Sequence, residues 1–141
     1  MRKKLWVLSA ALLACLLVLC ACKTEGNPLP EGMEEETVLE QGRSVMELLN
    51  QGAWQDVYDQ LRSDAQETTG PDKIQSYMDS VYEKTGTFEK EEAGMATGQK
   101  LDSGEEYGTA VFYCKHTKKD VVYRIAFDTD MVLMGIEIKT N

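Results

Sequence analysis

The chain has 141 residues, with 24 acids against 15 lysines and arginines and a net charge of −9. That length gives one domain plus flanking segments. So acidic a chain is repelled by nucleic acid and by anionic lipid surfaces, so neither is expected as an electrostatic partner.

The N-terminus reads as a secretory leader. Arg2, Lys3 and Lys4 form a basic start, Leu5 to Ala21 is apolar except for Ser9, and the polar run from Lys23 to Asn27 follows Cys22. Leu19-Cys20-Ala21 ahead of Cys22 resembles a bacterial lipobox, in which the cysteine takes a diacylglycerol and becomes the new N-terminus. Cys22 has a small residue before it and a polar one after it, and is the expected lipidation site. Cys20 follows the bulky Leu19. Cys15 follows an acceptable Leu12-Leu13-Ala14, but would leave Leu16 to Leu19 as an apolar stub. An uncleaved membrane helix is the alternative, although the run is shorter than the ~20 apolar residues a span needs. Residues 1–21 are thus expected to be removed, taking the net charge from −9 to −12 with the loss of Arg2, Lys3 and Lys4. The product would be a palmitate-bearing lipoprotein on the extracytoplasmic face of a bacterial cell membrane. Cys114 is then the remaining thiol, so no intrachain disulfide is expected, and with His116 the single histidine no usual zinc set is complete.

Residues 22–36 hold Gly26, Pro28, Pro30, Gly32 and several glutamates, and no apolar period. They read as a flexible acidic tether, and residues 37–141 as the domain. The first helix is predicted over Thr37–Asn50, from Val38, Gln41, Val45, Leu48 and Leu49, and ends at Asn50-Gln51-Gly52. Trp54, Val57, Tyr58 and Leu61 make the stripe of a second, broken at Thr68-Thr69-Gly70. Pro71 opens a third, with Ile74, Tyr77, Met78, Val81 and Tyr82 buried and Gly86 as its end.

After Gly86 the period becomes two. A weak strand is expected from Thr87 to Leu101, with Gly94 and Gly98 as bulge candidates. Three stronger strands follow. Their buried faces are Ala110/Phe112/Cys114/His116, then Val121/Tyr123/Ile125/Phe127, then Val132/Met134/Ile136/Ile138. Thr109, Lys115, Arg124, Glu137 and Lys139 belong to a wet opposite face. The predicted fold class is α+β: three N-terminal helices packed on a curved antiparallel sheet of about four strands.

The segment from Leu48 to Leu61, Leu-Leu-Asn-Gln-Gly-Ala-Trp-Gln-Asp-Val-Tyr-Asp-Gln-Leu, resembles the helix–helix signature of small Gram-positive lipoproteins grouped as domain of unknown function 3887. The Pro71 helix, the Gly86-Thr87-Phe88 junction and the closing meander follow the same order, over roughly Thr37 to Lys139. A glycine, Gly70, stands where that pattern has threonine before proline. The resemblance implies a cone similar to the cystatin-like and nuclear-transport-factor-like folds, where a pocket can lie between helices and sheet. It implies no reaction.

Four residues form the candidate ligand site: Tyr58, Tyr82, Tyr123 and His116, whose rings belong to faces turned toward the interior. Cys114 lies two residues from His116 on the same face, but among apolar neighbours it reads as a small hydrophobe. Asp128-Thr129-Asp130 lacks the glycine and further acid of a calcium loop and reads as a turn. The expectation is therefore a non-enzymatic, lipid-anchored module that binds a small ligand or protein partner, without cofactor or metal. A pocket enzyme of isomerase or hydrolase type, and a structural domain that forms a homodimer, are the alternatives.

Overall fold

The computed structural model of the chain describes residues 26–140. The leader and Cys22 lie outside the described residues. Among the described residues four helical segments precede four strands: α1 (Glu35–Gln51), α2 (Trp54–Gln60), a single turn α3 (Ser63–Gln66), α4 (Pro71–Thr85), β1 (Phe88–Lys100), β2 (Glu106–His116), β3 (Asp120–Asp128) and β4 (Leu133–Thr140). The strands form one antiparallel sheet in the order β1-β2-β3-β4. The helices pack on one face of it, so the α+β class is as the periodicity predicts.

Helix α1 is amphipathic, and Val38, Val45, Met46 and Leu49 point into the core. Gly52 ends it with φ 76°, a left-handed cap whose N–H donates to the carbonyls of Leu48 and Leu49. Gly42 faces the sheet. A β-carbon there would stand 2.6 Å from that of Ala110 and 2.9 Å from the Phe112 ring, so the bare backbone sets how closely α1 approaches β2. The bidentate Arg43–Glu91 pair, at 2.8 and 2.9 Å, ties α1 to β1, with the guanidinium 5.4 Å above the Phe112 ring. Helix α4 starts at Pro71, after an N-cap Gly70 that supplies no side-chain bond, and buries Ile74, Met78 and Val81.

The inner faces of β2 and β3 match their alternation. Ala110, Phe112, Cys114 and His116 are buried, as are Val121, Tyr123, Ile125 and Phe127. Four expectations about the sheet and the tether need correction. In β4 the inner position is Leu133, not Val132, because a register shift opposite Ala126/Phe127 inserts an extra residue and changes the parity. The irregularities of β1 lie at Phe88/Lys90 and Glu91/Ala93, not at Gly94 or Gly98. Thr109, expected to be wet, is 2% exposed: it is flanked by Thr97 and Ala126 on the outer face, and Gly26 and Asn27 lie over Thr97.

The fourth correction concerns the tether, which is docked from Gly26 onward. Asn27 accepts the Gly98 N–H at 2.9 Å, and the Pro28 carbonyl lies where any side chain at position 98 would project. Leu29 and Met33 close over Gly108. Isolated apolar residues that fill gaps left by glycines have no period, so their burial left no pattern to read.

Candidate functional site

Beneath α1 and α4 a chain of polar side chains crosses the core. His116 Nδ1 lies 2.9 Å from the Gly86 carbonyl, which can only accept, so this nitrogen carries the proton. It is also 2.9 Å from the Thr85 hydroxyl, which donates onward to the Val81 carbonyl. The other nitrogen, Nε2, therefore accepts from the Tyr123 hydroxyl at 2.7 Å. The Tyr123 oxygen in turn accepts from Asn50 Nδ2 at 3.3 Å, and Asn50 Oδ1 accepts from the Tyr82 hydroxyl at 2.8 Å. The second Asn50 amide hydrogen goes to the Met46 carbonyl. Phe88 closes the cluster edge-on to His116 and Tyr123.

Burial holds the His116 pKa below its ordinary value, against the opposing pull of the Gly86 bond and Glu89. Burial likewise raises both phenols, Tyr123 more than Tyr82. Cys114 is buried with its Sγ 3.7 Å from Met46 Sδ, and burial pushes its thiol up to about 12. A neutral imidazole with both nitrogens occupied, and a thiol this weakly acidic, are fittings of a core rather than a nucleophile and base.

Three of the four candidate residues thus meet, with Asn50 linking Tyr82 to Tyr123 and Tyr123 reaching His116. Tyr58 does not join them. It is half-buried on α2, and its carbonyl accepts from Leu61 and from the Gln66 side chain. The sequence pattern marks Asn50 only as a helix stop; its role here depends on tertiary placement.

Open space lies elsewhere, along the seam between α4 and β4. A trough of about 390 Å³ is lined by Leu49, Leu61, Ala65, Ile74, Tyr77, Met134, Gly135 and Ile136, with Thr68, Thr69 and Lys73 at its polar margin. A second groove of about 400 Å³ continues the seam past Tyr77, with Val81, Lys84, Thr85 and Ile138 among its lining. Among the described residues that line the two, none is a carboxylate. Tyr77 stands between them, 40% exposed, and its hydroxyl accepts the Ile138 N–H at 2.8 Å. The periodicity had placed Tyr77 in the core; the structure places it at the rim.

The corner of α2 and α3 walls this trough, and Arg62 holds it. Its guanidinium bonds Asp64 at 2.8 Å, Glu105 at 3.2 Å and Asp128 at 3.5 Å, and the first two partners raise its pKa. Its backbone N–H donates to the Leu133 carbonyl at 2.7 Å. Asp128 also caps its own turn, its side chain accepting from the N–H groups of Asp130 and Val132.

A family model described as protein of unknown function (DUF3887) matches residues 43–136. The chain belongs to this family. The match spans α1 from Arg43, the Arg62 corner, the polar chain and the trough as far as Ile136. No curated protein matches. Among solved structures the chain is similar to an NMR structure of a protein from Ruminococcus gnavus ATCC 29149, at 27% identity and a TM-score of 0.65, covering 79% of this chain and 96% of that one. Among the described residues no helix is long and apolar enough to cross a membrane.

Proposed function

We infer that this DUF3887 protein is a non-enzymatic binding module, exported and held by lipid on Cys22, and that the α4–β4 trough is its binding site. The trough carries the reading: an apolar floor, a single charged side chain, Lys73, at its margin, and a volume in the range of small-molecule sites. This lining suits an elongated ligand with an apolar body and an anionic end. A cystatin-like cone would place its ligand in the same layer, between helix and sheet. The committed His116 and buried Cys114 support a role in recognition, and the polar chain keeps α1, α4 and the sheet in fixed relation beside the trough.

Docking of the chain from Gly26 onward shortens the tether. Residues 22–26 span roughly 17 Å when extended, so the domain would sit close to the headgroups. Cys22→Ser should move the protein from the membrane fraction to the soluble or unprocessed one; membrane retention of fully processed protein would refute the anchor.

Anilinonaphthalenesulfonate, with an apolar ring system and one anionic group, is a direct probe of the trough. The full-length chain in mild detergent should enhance its fluorescence above the detergent blank. Ala65→Trp, which fills the trough, and Lys73→Glu, which reverses its charge, should each abolish the enhancement. Binding unaffected by either substitution would refute the assignment.

A further inference from the structure

The trough has one wall made of backbone. Among the described residues strand β4 is the edge of the sheet, with β3 as its one neighbouring strand. Paired residues in an antiparallel ladder alternate between those that exchange hydrogen bonds with the partner strand and those whose N–H and C=O point away from it. Ile138 directs its N–H to the Tyr77 hydroxyl and is therefore of the second kind. Ile136, two residues earlier and opposite Ile125, has the same orientation. Its N–H and C=O therefore face away from β3, neither takes a backbone hydrogen bond outside the ladder among the described residues, and it lines the trough.

Both neighbours of this bare position on the edge are occupied by groups from elsewhere. On one side Leu61 bridges Leu133 in parallel fashion and Arg62 donates to its carbonyl. On the other the Tyr77 hydroxyl takes the place an added strand's carbonyl would have. The opposite edge of the sheet is protected differently. β1 carries Glu89, Lys90, Glu91 and Glu92, and Asn27 covers Gly98, the usual devices against strand addition.

We propose that β4 receives an extended acidic peptide segment of a partner protein, added as a fifth strand at Ile136, with Tyr77 swinging out to release Ile138 as the segment lengthens. The proposal rests on the trough being the binding site. Charge identifies the occupant. Lys73, Tyr77 and Lys84 lie on one stripe of α4 along the seam, at spacings of four and seven residues. Asp72, Asp79 and Glu83 fall on the adjoining stripe and do not line it. An extended segment with alternating carboxylates would pair its backbone with β4 and its acids with the lysines, and its apolar side chains would enter the trough. A second processed copy would bring the same lysines and a further net charge of −12 to the same edge.

The test titrates full-length protein in detergent with an acetylated, amidated peptide alternating glutamate and valine. Three controls accompany it: the same peptide N-methylated at its central residues, its lysine–valine counterpart, and the Lys73→Glu/Lys84→Glu protein. The acidic peptide should bind and slow amide exchange at Ile136. N-methylation, which blocks the backbone bonds without touching the protein, should weaken binding by about tenfold or more, and the charge-reversed protein should prefer the lysine peptide. Equal binding of the methylated peptide, or no binding, overturns strand addition. Exchange protection at Ile136 that grows with protein concentration alone overturns it in favour of self-pairing. Loss of peptide binding with dye binding retained refutes only this proposal; loss of both refutes the trough as well.

Discussion

The Tyr123 hydroxyl donates to His116 Nε2 at 2.7 Å, and this bond requires a neutral histidine. Protonation would place a second donor against the first. The folded pKa is already depressed by burial, so the unfolded chain takes up the proton first. Stability from this group is fully present above the unfolded value of about 6.5 and is lost as pH falls toward the lower folded value. The urea midpoint should decline on acidification through that window, before most carboxylates titrate. His116→Gln should cost about 1–3 kcal/mol at neutral pH, from the partners it leaves unpaired, and should remove the decline, since the chain has one histidine. An identical pH profile in the variant would contradict this.

Two glycines make opposite predictions about added volume. Gly42→Val should force α1 away from Ala110 and Phe112 and cost about 1–3 kcal/mol by overpacking, visible as a lower thermal midpoint. Gly98→Val meets the Pro28 carbonyl instead. It should detach the segment from Gly26 to Pro30, speed amide exchange at position 98, and speed cleavage after the already exposed Glu31 by a glutamate-specific protease as its backbone loosens, with the sheet intact. A protease pattern equal to wild type would show that the segment is not held by this contact.

Tyr77→Phe removes the hydroxyl that accepts the Ile138 N–H. The side chain is exposed enough for global stability to change by no more than about 0.5–1.5 kcal/mol, while amide exchange at Ile138 accelerates well beyond that of the flanking residues. Unchanged exchange at Ile138 would mean that the phenol does not guard the edge.

Pro71 and Gly86 bound α4 in the sequence as they do in space, and strict alternation identified the inner faces of β2 and β3. These signals are local. The features that periodicity missed depend on partners distant in sequence. Leu133 replaces Val132 because the β3–β4 register shifts, after a turn that holds Met131 at φ 61°. Gly42 and Met46 face the sheet although Gln41 and Leu48 fit the period as well. The α3 turn is too short to have a period, and Leu29 and Met33 fill gaps singly. Trp54 continues its stripe yet is only partly buried, packed at the margin of the core, so its truncation should cost nearer ~1.5–3 kcal/mol than the full value of a buried aromatic. The candidate site divides in the same way. Inward parity brought Tyr82, Tyr123 and His116 together, but Asn50 emerges only once α1 lies against α4 and β3, and Tyr77 and the bare edge at Ile136 only once β4 lies beside α4.

The most direct test of the trough as the binding site is an amide chemical-shift map of the full-length protein titrated with anilinonaphthalenesulfonate. Perturbations should centre on Leu61, Ala65, Ile74, Tyr77 and Ile136, which line the trough. Perturbations centred instead on Met46, Asn50 and Phe88, which line a smaller apolar groove of about 170 Å³, would contradict the account and return the site to the mouth of the polar chain.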